Sequence, residues 1–503
     1  MFRDIVKGIA KNTSIMLVQQ AITWASSLLL VLFLPRYLGP IEYGKLFLAL
    51  SIYEIFRVLV NYGGNYLVAK HVSRDRSATP QILVDAAVLR FLIALVSVVG
   101  LVGFVLVADY SHDTQLTVYA VGVMLLWNGG ITALYAAYQG HELLKYTSLG
   151  AIVERVVVSI VGVASLLMGA GKIIIALVIT FGNFLNFLCL IFFIKRITPS
   201  LSHVNWQNVF RQLRSGLPYF LFAVFSTIYY RIDSLMLSKM SPEEVVGWYG
   251  GAFRPFDMLN FLPFILTVAL YPVLSRLWSE SGDAHKRTTQ KGLEIVILAA
   301  IPLSIGVSLF TEDLIGVLYG LEGYANSVTI LQVLTCGLIF LYVDMVLVTT
   351  LLACDKQKQF SFVSLGAIPF KIILNYFLID YYQAAATNGG IGAAIATVLT
   401  EGCIMVMAIT LMPKGILSGF RFRVLAKGIA AGASMFGVLL LMSHFGTFWV
   451  LQIPIGAAVY IASVFTLRTF EPAEIAFLKQ VVSIRSFSEA KELLRPDSST
   501  PGG

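Results

Sequence analysis

Charge is scarce in this chain. Its 503 residues hold 36 Lys and Arg and 28 Asp and Glu, together 13%, about half the usual share of roughly 25% in soluble domains. Two or three water-soluble domains of ordinary composition are therefore excluded. Cysteine is also rare: Cys189, Cys336, Cys354 and Cys403 fall singly in apolar stretches. None has CxxC or His-paired spacing, so neither a disulfide framework nor a zinc site organises the fold. The six histidines, His71, His112, His141, His203, His285 and His444, lie in loops or at the ends of apolar runs and suggest no chemistry.

What the chain has is apolar length. Hydrophobic residues make up 57%, the mean hydropathy is +0.81, and long apolar runs recur from Thr13 to Leu467. A bilayer core needs about 20 such residues per helix. On that measure fourteen spans are expected: 13–35, 43–64, 82–108, 115–139, 149–169, 173–194, 216–238, 247–273, 292–310, 327–354, 360–380, 389–412, 424–443 and 447–467. The predicted fold class is an all-α polytopic membrane protein.

Basic residues orient it. With the amino terminus in the cytoplasm, 26 Lys and Arg fall in cytoplasmic segments and 3 in external ones (Arg36, Lys172, Lys239); 7 lie inside spans. That alternation is the positive-inside pattern, with both termini cytoplasmic. The net charge of +8 then reflects topology, and the loops carry no nucleic-acid motif. The first run lacks a small-x-small cleavage site and reads as a retained helix. External loops are short, the longest about 311–326, which leaves no room for an external catalytic domain. Beyond Arg468, the stretch Glu474–Phe487 is a candidate amphipathic helix for the cytoplasmic membrane surface, the alternative being a partly ordered, solvated tail, and Pro496–Gly503 is expected to be disordered.

An internal repeat is legible. Ser148-Leu149-Gly150-Ala151-Ile152 recurs as Ser364-Leu365-Gly366-Ala367-Ile368, each followed three residues later by a cation, Arg155 and Lys371. Pro40-Ile41-Glu42-Tyr43-Gly44 likewise resembles Pro242-Glu243-Glu244-Val245-Val246-Gly247. Both matches shift by six spans, an even number, so the copies share one orientation. The expectation is two parallel pseudo-symmetric six-helix lobes, 1–205 and 206–414. Two terminal helices follow in 415–470, then a cytoplasmic tail, 471–503. Same-sense repeats belong to transporters that rock about a central site.

Within the spans sit cations that lipid does not tolerate. Lys45 is near a span end and is expected to snorkel. Arg57, Arg90, Arg155, Arg231, Arg254 and Lys371 are deeper. Each costs about 2.5–3.5 kcal/mol near a helix centre, so all six must face water, an acid or a polar interior. The span acids are Glu54, Asp85, Glu154, Asp233, Asp257, Glu294, Asp344 and Glu401. Glu54 with Arg57, and Arg254 with Asp257, are three apart and can pair on one helix face. Arg231 and Asp233 are two apart, about 200° around the helix, so a partner for Asp233 must come from elsewhere. Arg90, Lys371 and Arg155 have no sequence-local acid and point most directly to a wet cationic cavity between the lobes. Tyr229, Tyr230, Tyr249, Tyr271 and Tyr376 read as interface residues rather than sugar platforms. Asp109 and Asp113 read as solvated loop acids rather than metal ligands.

Several short motifs carry a resemblance. Asn12-Thr13, Arg36-Tyr37-Leu38-Gly39-Pro40, Tyr43-Gly44 and Gly216-Leu217-Pro218 come first. Tyr230-Arg231-Ile232-Asp233, Gly247-Trp248-Tyr249, Ala252-Phe253-Arg254, Asn375-Tyr376 and Gly390-Ile391-Gly392-Ala393-Ala394 follow. In that order they resemble the polysaccharide transporter family, which includes the O-antigen flippases, in the multidrug/oligosaccharidyl-lipid/polysaccharide exporter superfamily. The likeness covers about residues 5–415. It implies a flippase of the inner membrane, not an enzyme, moving a polyprenyl-pyrophosphate-linked oligosaccharide to the outer leaflet by alternating access. On this reading Arg57, Arg90, Arg155, Arg231, Arg254 and Lys371 grip the headgroup. Glu54, Asp85, Glu154, Asp233 and Asp257 gate or couple to an ion, H+ or Na+. No cofactor or metal is expected, the transporter unit is a monomer, and candidate partners are polysaccharide polymerase and chain-length machinery. Alternatives are a lipid II flippase, a cation-coupled drug antiporter, or a membrane glycan polymerase or glycosyltransferase. Span 13–35 contains no Asp or Glu, which weighs against the antiporter.

Overall fold

The structure is a computed structural model describing residues 2–469 apart from 63, 199 and 201. The expected tail helix and the tail 471–503 lie outside the described residues. Every regular element among those described is helical. In the first lobe these are α1 (Phe2–Val60), α2 (Gly64–Arg74), α3 (Thr79–Val107), α4 (His112–Gly122), α5 (Leu125–Gly140), α6 (Leu144–Leu167) and α7 (Lys172–Phe192). The second lobe has α8 (Trp206–Met240), α9 (Glu243–Leu259), α10 (Phe261–Glu280), α11 (Gly282–Leu309) and α12 (Thr311–Leu318). It continues with α13 (Leu321–Cys336), α14 (Leu338–Ala353), α15 (Gln357–Ala386) and α16 (Gly389–Leu411). Two more, α17 (Phe422–His444) and α18 (Trp449–Thr466), end the described chain.

Among the described residues eleven helices are long and apolar enough to cross a membrane, twelve when the α13–α14 pair, bent by 42° at its break, is counted as one span. The first of the eleven holds two expected spans. Gly39 breaks α1 with φ 71° and ψ 169°, a conformation glycine adopts without Cβ strain, and Pro40, which has no N–H to satisfy, opens the next helix. The expected span 216–238, which carries Arg231 and Asp233, lies on the 35-residue α8, which is not among those eleven. The fourteen expected spans thus lie for most of their length on described helices.

One expected span, 327–354, is broken into α13 and α14, whereas 115–139 (α4 and α5) and 247–273 (α9 and α10) each run through a brief turn as one long helix. The amphipathic α2 was not expected at all. Its polar and charged residues left no apolar run to find.

Packing follows the repeat. In the first lobe α6, which carries Ser148–Ile152, lies against α1 and α7; in the second, α15, which carries Ser364–Ile368, lies against α8 and α16. Helices α17 and α18 pack on α11, where a Cβ on Gly428 or Gly432 would press into Ile301, and the Tyr460 hydroxyl donates to the Leu298 carbonyl at 2.9 Å.

The lobes meet mainly along α1 against α9 and α8. Gly44 and Gly247, matched by the repeat, touch each other there. A Cβ on Gly247 would overlap the Pro40 carbonyl, and one on Gly44 would overlap that of Glu243. Backbones approach this closely only where both side chains are absent.

Candidate functional site

Between the lobes lies a cavity of about 330 Å³. The half of α1 after Gly39 supplies Ser51, Tyr53, Glu54 and Arg57 to it; α6 supplies Glu154 and Arg155; α8 supplies Arg231 and α9 Arg254. Asn128 and Asn183 complete a polar wall. Four of the six sequence-predicted cations and two of the five predicted acids therefore converge.

The two carboxylates are already engaged. Arg57 donates to Glu54 at 2.6 Å across one helical turn. Glu154 accepts from Asn183 at 3.2 Å and Asn186 at 2.7 Å. Among the described residues Arg155, Arg231 and Arg254 form no ion pair. Arg231 instead lies 5.3 Å from the Tyr230 ring centre and Arg254 6.0 Å from that of Phe47. The lining has a formal excess of two positive charges in a partly enclosed space. Planar guanidinium groups in such a setting suit bidentate binding of a phosphate or carboxylate.

The other predicted residues lie elsewhere. Arg90 is buried in the first lobe, where it donates to Thr132 at 3.1 Å and backs onto Gly129. Lys371 is buried against Asp233, 2.8 Å away, and donates to the Tyr229 carbonyl at 3.2 Å. Asp233 further accepts from Asn375 at 2.7 Å and from Tyr249 and Thr397 at 3.0 Å. The sequence had singled out Arg90 and Lys371 as the cations most in need of a cavity; neither lines it. Lys371 is the missing partner of Asp233, reached only through tertiary packing.

Asp85 is likewise away from the cavity. It accepts the Asn205 backbone N–H at 2.8 Å and the Asn208 side chain at 3.1 Å, tying the start of α8 to α3. Asp257 and Arg254 form no ion pair despite their spacing. The Tyr230 hydroxyl donates to Asp257, which borders an apolar cleft lined by Trp24, Leu28, Phe261 and Phe264.

At one end of the bundle a charge cluster closes the lobes together. Lys45 reaches Asp113 at 2.9 Å, Glu243 at 3.2 Å and Glu42 at 3.7 Å; Lys172 reaches Glu42 and Asp113 at 2.5 Å. Ser111 and Thr114 also donate to Glu243, at 3.2 and 3.1 Å. Lys45 is thus paired and only 12% exposed rather than snorkelling, and Asp113, in the first turn of α4 and still 45% exposed, is an ion-pair hub. Sequence reasoning missed this latch because its members come from four distant segments. It also passed over Asn128, Asn183 and Asn186, although amides inside apolar spans are themselves a signal.

Comparisons with known proteins agree with this architecture. Residues 9–278 match the family model "Polysaccharide biosynthesis protein", and residues 218–377 match "MatE". A Bacillus subtilis relative, "Probable multidrug resistance protein NorM", is 25% identical over 242 residues, 43% of this chain and 53% of that one. A Haloferax volcanii relative, "Probable low-salt glycan biosynthesis flippase Agl15", is 21% identical over 378 residues, 74% of this chain and 76% of its own. The chain spans about half or less of the length of the first curated relatives it matches. Among solved structures, the lipid II flippase MurJ in an inward closed conformation superposes with a TM-score of 0.72 at 16% identity, covering 91% of this chain and 99% of that one. That likeness establishes the fold. With more than half its length under one family model, the chain belongs to the polysaccharide biosynthesis protein family.

Proposed function

We propose that this multi-pass protein is a transporter, not an enzyme. It flips a polyprenyl-(pyro)phosphate-linked oligosaccharide from the cytoplasmic to the outer leaflet of the inner membrane, for O-antigen or exopolysaccharide export. The observation that carries the reading is the cavity with four arginines against two carboxylates, set between two like-oriented lobes. A pyrophosphate cannot cross hydrocarbon unaided, and guanidinium groups in a low-dielectric hollow replace its hydration. The cavity is of ligand-pocket size, enough for a headgroup, so the rest of the glycan needs the lobes to part. The apolar cleft between α1 and α10, floored by Trp24 and Phe261, suits the polyprenyl chain at the lipid boundary.

On this reading the termini are cytoplasmic and the latch closes the outer end. The lobes rock about it while Arg57, Arg155, Arg231 and Arg254 hold the headgroup; Arg90 and Lys371 brace the lobes. A proton or sodium gradient supplies the drive. A second reading, a cation-coupled drug antiporter, draws on the MatE match and the NorM relative, but a surplus of guanidinium repels an organic cation.

The test is leaflet translocation of a labelled polyprenyl-pyrophosphate oligosaccharide in proteoliposomes. Transport is expected, and it should fall on single replacement of Arg231 or Arg254 by Gln. Rates unchanged across Arg57, Arg155, Arg231 and Arg254 would refute the headgroup grip, and new glycosidic bonds would refute the transporter reading.

A further inference from the structure

A second polar cluster lies inside the second lobe, away from the headgroup cavity. Asp344 on α14 is 4% exposed, and neither of its carboxyl oxygens receives a donor N–H or O–H. Its neighbour is another carboxyl, Glu401 on α16. Glu401 accepts the Tyr229 hydroxyl of α8 at 2.6 Å. Asp233 and Lys371 complete the charged surroundings, and their mutual pair at 2.8 Å leaves the single lysine already answered. On α11, which packs against α14, Glu294 is held by Lys291 at 2.5 Å.

Two carboxylates side by side in a helix bundle cannot both carry charge without a compensating cation. Between two carboxyl acceptors a hydrogen bond forms only when one of them carries a proton. We propose that Asp344 and Glu401 form a proton-binding site, holding one proton between them.

The exchange is simple: a carboxyl O–H bond breaks, the proton passes to water, and the carboxylate keeps the electron pair. Its consequence runs along α8. Tyr229 donates its hydroxyl to Glu401 while its carbonyl accepts from Lys371, and two residues later Arg231 enters the headgroup cavity. Loss of the proton places a second negative charge beside Glu401 and sets it in competition with Asp233 for Lys371. Whatever moves α8 then alters proton affinity, and the converse follows from linkage. The link to cargo rests on the flippase reading above; the proton itself does not.

The test uses the purified full-length chain in detergent, without cargo, followed by infrared difference spectroscopy through a pH titration. The wild type should show a protonated carboxylic-acid carbonyl band at neutral pH that disappears as pH rises. Asp344→Asn should remove that band, Glu401→Gln should alter or remove it, and Glu243→Gln should leave it intact. In transport, Asp344→Asn should flatten the pH dependence. A wild type with no such band, or an Asp344→Asn variant that keeps it, overturns the proposal. So does a band that appears only when sodium is withdrawn, since a metal ion would then occupy the pair. Should Asp344→Asn fail to fold, Glu401→Gln and the wild-type spectrum decide the question. Because no cargo is present, failure of the flippase reading cannot be mistaken for failure here.

Discussion

Arg155 and Lys371 occupy matching places in the two repeats, three residues after the same pentapeptide, yet their surroundings differ. Lys371 is buried and neutralised by Asp233 of α8. The helix that plays the part of α8 in the first lobe is the opening half of α1, and its span 13–35 contains no acid. Arg155 therefore finds no carboxylate there and faces the cavity. One symmetric scaffold thus yields a braced cation in one lobe and an available one in the other. The decision lies in a single acid on the neighbouring helix.

Substitutions can break this comparison. The largest effect should come from Asp233→Asn, which leaves Lys371 buried and unpaired. About 3–5 kcal/mol of stability should go, read as a sharp fall in the thermal midpoint in detergent. The double change Asp233→Leu with Lys371→Met should recover much of it, because no charge then remains buried. If the single and double variants melt alike, the pair is not a brace.

Next is the contact between the lobes. Gly247→Ala should cost roughly 1–3 kcal/mol by overpacking and slow translocation, whereas Gly437→Ala, with open space around its Cβ position, should do neither. Comparable losses in both would mean that the close approach at Gly247 is immaterial.

Arg155→Gln then sharpens the contrast with Lys371. Translocation should fall about tenfold, equivalent to about 1.4 kcal/mol, while the melting midpoint stays near that of the wild type. A large loss of stability instead would place Arg155 with the braces.

The latch should respond least. Glu42, Asp113 and Glu243 are between 38 and 45% exposed, so water and salt screen them. Lys172→Gln should cost no more than about 1 kcal/mol, with an effect that shrinks as salt is added. Greater labelling of a cysteine placed at Asp109 would report the loosened end, and no change in labelling at any salt concentration would show that the cluster does not hold the lobes.

The latch and the cavity also show why charge alone was a poor guide to role. Lysine is a compact point charge, and at the end of the bundle Lys45 and Lys172 gather carboxylates from α1, α4 and α9. The cavity instead presents arginines, whose broad guanidinium planes rest near Tyr230 and Phe47 and leave donors for a ligand. Arg57 alone of the four has a carboxylate partner, and that partner was visible in the sequence as Glu54, one turn away.

Local pairing was legible because helix geometry is set by residue spacing. Glu54 with Arg57 obeyed it; Arg254 with Asp257 did not, and Asp257 accepts instead from the Tyr230 hydroxyl of α8. No spacing rule contains that hydroxyl.

The sequence by itself determined the membrane helices, the two like-oriented repeats and the need for a polar interior. Each follows from the cost of exposing backbone or charge to hydrocarbon, which residue order alone expresses. Which cations face the hollow, which are silenced, and where two acids meet was decided only by the packing of helices distant in the chain. A charge is compensated by what lies within a few ångströms in space, and helix spacing records only the neighbours on its own turn.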